Sequence, residues 1–260
     1  MSIGIGYVTY NREDNWKYLK LDKSWASSFV IVNDGTPYKE GTYPDFPHII
    51  QHTHNKSVGV SKNDAIRYLM NNNTEHLFII EDDIIVEDPS CFDAYIKLAE
   101  KSGIKHLNFA YHGHANLEHG KPNPRFCVEY DDVNKMSINF HCVGAFTYYH
   151  RSIIEKCGYI DEFYINAWEH ISHTYEVIKR KLHPPFWNFS DVMDSNRFFR
   201  EIGTVEANSV IRRDKKHMNE NIKLGRDYFK ALNGFEFLEI PDTPKEEVFE
   251  YLEKMEKKEI

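Results

Sequence analysis

Long apolar runs are missing from this 260-residue chain. None approaches the roughly 18 residues that a membrane-spanning helix requires. The opening MSIGIGYVTY has neither a basic stretch nor an extended apolar segment, so no secretory leader is expected and the chain reads as cytoplasmic and soluble. Cysteine is scarce: Cys91, Cys127, Cys142 and Cys157 have spacings that fit neither a zinc pattern nor a disulfide framework. Positive charge is in deficit, with 32 Lys and Arg against 40 Asp and Glu, a net charge of -8, which argues against non-specific coating of nucleic acid. A Walker loop is absent. The GIG at 4–6 does not continue into a GxGxxG fingerprint, because Thr9 holds the last position. No HExxH helix occurs, and the HTH at 52–54 and HGH at 112–114 lack a recognisable zinc ligand set, so these are expected to be solvated loop histidines. What is present is 41% hydrophobic and 14% aromatic residues, enough for a sizeable core.

Short apolar segments alternate with helical stretches through the first half. IGIGYVTY at 3–10 and SFVIVND at 28–34 read as strands, the second stopped by the Asp34–Gly35 turn pair. NREDNWKYLK between them reads as helical, HIIQHTHN as a third strand, and SVGVSKNDAIRYLMNN as a helix with Ile66, Leu69 and Met70 near one face. EHLFIIEDD carries the continuous apolar run of a strand buried on both sides. The next helix has Asp88 as its cap, Pro89 at its first position, Phe92, Tyr95, Ile96 and Ala99 in helical period, and Gly103 at its end. IKHLNFAY and SINFHCVGAFTYYH supply further strand, with helices at 151–157 and about 167–182. Alternation of this kind predicts an α/β fold with a mostly parallel central sheet flanked by helices. Residues 186–240 show no clear period. DTPKEEVFEYLEKMEKKE predicts a terminal helix capped by Thr243, with Glu246 completing a capping box and Val248, Leu252 and Met255 docking on the body. A main domain over 1–185 and a C-terminal extension over 186–260, packed on it, are expected.

Glu81, Asp82 and Asp83 follow LFII directly, at the carboxyl end of a strand, where open parallel sheets collect ligands. Three adjacent carboxylates repel one another unless a cation lies among them. Hard oxygen ligands suit Mg²⁺ or Mn²⁺, which in turn bridge phosphate oxygens. A solvated acidic turn could carry the same triplet; its place at the end of a buried strand favours a site.

Five segments in order, over residues 3–182, resemble family 2-type glycosyltransferases with the GT-A fold. IGIGYVTYNR resembles that family's first strand, FVIVNDG its second strand with terminal Asp-Gly, and NKSVGVSKNDAI its first long helix segment. LFIIEDDIIVEDP resembles the strand bearing the DxD metal motif, and the stretch from GAFTYYHRS through DEFYINAWEH resembles the downstream acidic motif. Three departures stand out: Glu81 opens the triplet in place of Asp, Glu169-His170 replaces Glu-Asp, and Lys62 stands where Arg is common.

The resemblance implies a GT-A (Rossmann-like) domain that moves a sugar from a nucleotide diphosphate sugar, most simply a UDP-sugar, to an acceptor hydroxyl with inversion. It implies that Thr9 and Tyr10 approach the base, with Tyr10 stacking on it or lying in the core. It implies that Asp34 accepts a hydrogen bond from the base, unless it serves only the Asp-Gly turn, that Glu81 and Asp82 belong to the nucleotide site, and that Lys62 neutralises the diphosphate or, as is commoner for a helix lysine, lies on the helix surface. Asp83 would hold Mn²⁺ or Mg²⁺, and His217 would add a metal ligand from a basic run that could also close over the diphosphate or simply be solvated. Glu169 would be the base that deprotonates the acceptor, although a first-turn glutamate also suits a helix dipole. Trp168 and His170 would meet the acceptor, Trp168 by sugar stacking or, equally, as a core residue.

Two other readings compete. A sugar nucleotidyltransferase shares the alternation and the metal but usually carries a Gly-rich basic loop after the first strand, where this chain has TYNRED. A non-catalytic nucleotide-sugar or glycan binder would have no need of Glu81, Asp83 and Glu169 together. Acceptor choice is expected to reside in 112–135 and 186–240, with a polysaccharide, a lipid-linked glycan or a modified DNA base as candidates.

Overall fold

Alternation of side chains along each strand sets the architecture. The computed structural model describes residues 1–203 and 214–260. In chain order it contains β1 (Ile3–Thr9), β2 (Ser28–Asn33), β3 (His48–Gln51), α1 (Val58–Asn71), β4 (His76–Glu81), β5 (Ile84–Val86), α2 (Ser90–Ser102) and β6 (His106–Asn108). A small hairpin, β7 (Leu117–Glu118) and β8 (Lys121–Pro122), precedes β9 (Phe126–Glu129), β10 (Lys135–Asn139), β11 (Phe146–His150), α3 (Arg151–Cys157) and α4 (Glu169–Lys179). The chain closes with β12 (Phe189–Val192), β13 (Phe199–Glu201), α5 (Lys215–Asn233) and α6 (Lys245–Glu256).

The central sheet has the order β3-β2-β1-β4-β11-β6. Its first four strands are mutually parallel, and β11 runs antiparallel between β4 and β6. The mostly parallel sheet expected from the alternation is therefore present. On β4, Leu77 and Ile79 face one way and pack with Val30, Val32, Ala65, Ile66 and Val177, which places α1 and α4 on that face. Phe78 and Ile80 face the other way and join Ile5, Tyr7, Phe92, Tyr95 and Leu252, which places α2 and α6 opposite. Each large apolar side chain fully buried there stabilises by roughly 1.5–3 kcal/mol.

Residues beyond 186 complete sheets begun earlier. The strand β12 pairs with β10, and β13 pairs with β5. Val248, Leu252 and Met255 of α6 are buried in the same cluster as α2.

Five local expectations are corrected. NREDNWKYLK forms only a short 3₁₀ turn at Glu13–Lys17, because Asn15 and Trp16 are drawn into tertiary contacts and Glu13 accepts from Lys39 N at 2.6 Å. SINFHCVGAFTYYH breaks into β10 and β11, which belong to different sheets. The aperiodic 186–240 stretch contains α5, whose buried positions Asn221, Gly225 and Phe229 hold one apolar side chain in three. Finally, α6 starts at Pro244 with no side-chain cap, and in α2 Asp88 lies one residue before the cap, accepting from Ser90 N at 2.9 Å.

Candidate active site

Parallel register brings the chemistry to one edge. Thr9 lies beside Asn33 and Val8 beside Glu81, so Tyr10, Asp34 and the Glu81–Asp83 triplet emerge together at the carboxyl ends of β1, β2 and β4. Because β11 is antiparallel, its start lies at the same edge, where Glu81 N donates to Ala145 O at 2.8 Å. The ring of His170, at the head of α4, packs against Gly144. A Cβ there would sit 2.7 Å from the imidazole Cγ, so the close approach requires glycine.

Two cavities open on this edge and share Arg12, Val58, Glu81 and Asn166. The first, of about 280 Å³, is bounded by Thr9, Tyr10, Asp34 and Asp82, with Asp214 and His217 across from them. The second, of about 410 Å³, is bounded by Asp83, His112, Gly144, Trp168, Glu169 and His170. The carboxylate triplet stands at their junction.

Arg12 governs that junction. Its Nη1 lies 2.9 Å from Asp82 Oδ1 and 2.7 Å from Asp83 Oδ2. The Thr9 hydroxyl bonds the other Asp82 oxygen and lies 2.7 Å from the Tyr38 hydroxyl, which also accepts from Arg12 N at 2.7 Å. Asn15 Nδ2 donates to Asp82 O at 3.1 Å and pins the turn. Burial pushes the Asp82 carboxyl up to about 7, with Arg12 opposing. Thr9 is thus tied to the Asp82 carboxylate and to Tyr38, while Tyr10 is half-buried on the wall of the first cavity.

Asp34 holds the entrance to α1. Its Oδ1 accepts from Lys56 N at 2.7 Å and lies 2.6 Å from His52 Nδ1; its Oδ2 accepts from Ser57 N at 2.9 Å. A carboxylate has about four acceptor positions, so one on Oδ2 has no donor among the described residues, and Asp34 lines the first cavity.

Lys62 sits in the interior. It is buried, at 3% exposure, lines neither cavity, and places Nζ 2.8 Å from Glu81 Oε1, 3.0 Å from Glu169 Oε1 and 3.0 Å from Gly144 O. Burial alone would lower the ammonium's pKa, but Glu81 and Glu169 outweigh it and hold the group above its ordinary value. These contacts are internal ones, by which Lys62 ties β4 to the head of α4. Burial would likewise raise the Glu169 carboxyl, yet Lys62 and then His170 hold it well below the usual range.

Of the four loop histidines, His54 and His114 are exposed as expected, and the other two require a correction. His52 is buried between Asp34 and Asp64, with Nε2 2.9 Å from Asp64 Oδ2. His112 faces the site, with Nε2 4.0 Å from Asp83 Oδ2 and Nδ1 3.1 Å from Glu201 Oε1. Burial works against its protonation, but Glu201 and Asp83 outweigh burial and raise it. Trp168 donates from Nε1 to Ile222 O at 3.0 Å and stacks on Phe237 at 4.9 Å, so one face and its polar edge are engaged within the aromatic cluster under α5.

Asp83 Oδ1 is buried with no hydrogen-bond partner among the described residues, the kind of hard, unsatisfied oxygen that fits a divalent cation. His217 stands across the first cavity on α5. Among the described residues no group of three or more His, Cys, Asp or Glu is placed to hold a metal, so His217 is not brought into such a set with Asp83. Arg212 and Arg213 of the basic run lie outside the described residues.

Sequence reasoning missed Tyr38, His112 and Glu201 as site residues, and read Arg12 only as part of a motif. Glu201 arrives through the β13–β5 pairing, a long-range contact that leaves no local signal.

No protein-family model and no curated protein sequence matches the chain. Solved structures do match its fold. S. aureus TarS is 13% identical at a TM-score of 0.53, covering 91% of this chain and 44% of TarS, so the chain spans less than half of that protein's length. TarS 1–349 in complex with UDP is 14% identical at a TM-score of 0.55, covering 98% of this chain and 70% of the other. TarS 1–349 in complex with UDP-GlcNAc is 11% identical at a TM-score of 0.51, covering 92% and 74%. At these identities the likeness establishes the fold, which is of the GT-A type.

Proposed function

We propose that this GT-A-fold chain is a glycosyltransferase that moves a sugar from a UDP-sugar to an acceptor hydroxyl, with inversion and with help from a divalent metal. The observation that carries the reading is the carboxylate triplet at the junction of two joined cavities. One holds nucleotide-binding groups, and the other holds the Glu169–His170 pair.

The uridine would enter the first cavity, with Tyr10 against the ring and the free position on Asp34 Oδ2 accepting the uracil imide N–H. A cytosine ring lacks that N–H, so one hydrogen bond would select uridine. The diphosphate would then lie at Arg12, whose guanidinium reaches both cavities. A bound Mn²⁺ or Mg²⁺ at Asp83 Oδ1 would supply positive charge for the departing diphosphate. The sugar would extend into the second cavity, where the acceptor oxygen attacks the anomeric carbon from the side opposite the diphosphate. The new C–O bond forms as the bond to the diphosphate breaks, UDP leaves with the electron pair, and the hydroxyl proton passes to the Glu169–His170 pair. One displacement inverts the carbon. Ligands seen on TarS support the donor class, since that protein was solved with UDP and with UDP-GlcNAc.

UDP release from a panel of UDP-sugars, UDP-GlcNAc included, tests the reading. Release is expected with Mn²⁺ and is expected to fall by about 10²-fold or more in Asp83→Asn, and NMR of the glycoside should show the anomeric configuration opposite to the donor's. Formation of UDP-sugar from UTP and a sugar phosphate would instead show a nucleotidyltransferase. Tight UDP-sugar binding without turnover would show a binding protein.

A further inference from the structure

Glu169 and His170 both line the second cavity, and each keeps one atom without a hydrogen bond among the described residues, Glu169 Oε2 and His170 Nε2; they differ in exposure and in what holds them. The Glu169 side chain is 4% exposed, and its Oε1 takes Lys62 Nζ and His170 Nδ1, each at 3.0 Å. A carboxylate so held is a weak base, because protonating it would break a buried ion pair. His170 is 21% exposed, and the carboxylate it faces can only accept, so Nδ1 must carry the ring's hydrogen. The Nδ1 side of the ring abuts Gly144, and Nε2 has no hydrogen bond among the described residues. This is the carboxylate–imidazole arrangement in which the acid fixes tautomer and orientation and the far nitrogen moves the proton.

Resting on the glycosyltransferase reading, we propose that His170 Nε2 is the atom that takes the acceptor's proton and that Glu169 is the positioning residue behind it. The hydroxyl proton moves to Nε2 as the oxygen bonds the anomeric carbon and UDP departs. The imidazolium is stabilised by Glu169, and its proton returns to solvent after the product leaves. Lys62 keeps Glu169 ionised for this task. Among the described residues, the charged and titratable groups around the ring are Glu169 beside it, Lys62 from α1 behind Glu169, His106 from β6 within the core, and Arg12, Glu81, Asp83, His112, His114 and Cys142 along the cavity. Met218 and Ile222 of α5 add apolar walls.

The test has two arms. Nitrogen-resolved NMR of the resting protein is expected to show His170 as the Nδ1–H tautomer in its neutral form; an Nε2–H tautomer overturns the inference whatever the protein turns over. In steady-state kinetics, His170→Gln is expected to lower kcat by about 10²-fold or more with UDP affinity unchanged, and to abolish the acid limb of the pH–rate profile. Added imidazole should restore turnover to His170→Ala. Glu169→Gln, which keeps an acceptor for Nδ1–H, is expected to cost less. Loss of turnover in Glu169→Gln with a near-normal His170→Gln and an intact acid limb overturns the assignment. If the wild type turns over no donor, the functional reading fails separately, and the tautomer alone decides the place of His170.

Discussion

Replacing Lys62 with methionine probes the contact that joins the carboxylate edge to the head of α4. Methionine is close in length and apolar, so the loss is of charge more than of volume. Removing one partner of a buried ion pair strands the other, at roughly 3–5 kcal/mol. Glu169, at 4% side-chain exposure, is the partner stranded; Glu81, at 28%, can turn to water. A chain of this size shifts by about 2–4 °C per kcal/mol, so Lys62→Met should melt on the order of 10 °C lower. The pH dependence gives a second signature. In the wild type the Glu169 carboxyl is held below its ordinary 4.5, so its contribution is present above that value and lost as pH falls through the folded value. In the variant burial acts without the ammonium and raises the carboxyl, so the penalty grows as pH rises. Urea unfolding should therefore show a wider gap between the two proteins at pH 7 than at pH 5. Adding Glu169→Gln to the Met variant should recover part of the loss, since no charge then stays buried. A gap below about 1 kcal/mol at pH 7, at the level of an exposed pair, or one independent of pH, would refute the buried ion pair.

Three further outcomes follow from the geometry. Asp34→Asn keeps the size of the side chain but removes a carboxylate that receives three donors, and UDP affinity measured by calorimetry should fall by about tenfold or more, with its preference over CDP lost; an unchanged preference contradicts the uracil contact. His183 is buried, with Nδ1 3.0 Å from Pro184 O and Nε2 accepting from Ser190 N at 3.4 Å, and burial lowers its imidazole to about 4. Its contribution is full above the ordinary 6.5 and is lost as pH falls through about 4. At 1.36 kcal/mol per pH unit, about 3 kcal/mol should disappear over that window. His183→Gln should flatten that part of the stability curve, and a curve of wild-type slope counts against it. Gly225 lets α5 approach Trp168, where a Cβ would lie 2.6 Å from the indole Cδ1. Gly225→Val should destabilise by roughly 1–3 kcal/mol in urea unfolding, and an unchanged midpoint would show that the indole can give way.

The sheet was legible because β4 and its neighbours carry unbroken apolar runs, and because Gly103 and Gly158 end their helices as turn chemistry requires. The carboxylate edge was legible for the same reason: a triplet at the end of a buried strand can only emerge where the parallel strands end. Lys62 was not. A lysine on a helix looks solvated from sequence, and its burial depends on Glu81 and Glu169 arriving from two distant segments. The helix α5 was hidden because its inward stripe is Asn221, Gly225 and Phe229, chosen for close approach under Trp168 rather than for hydrophobicity. His112 and Glu201 meet only after β13 pairs with β5, so spacing alone could not join them.

Calorimetric titration of UDP, CDP and GDP into the chain, each with Mn²⁺ and again in EDTA, bears most directly on the nucleotide site at the ends of β1, β2 and β4. UDP is expected to bind most tightly, and its affinity is expected to drop by about tenfold or more without metal. Binding of CDP or GDP as tight as that of UDP, or UDP binding equally strong in EDTA, would contradict it.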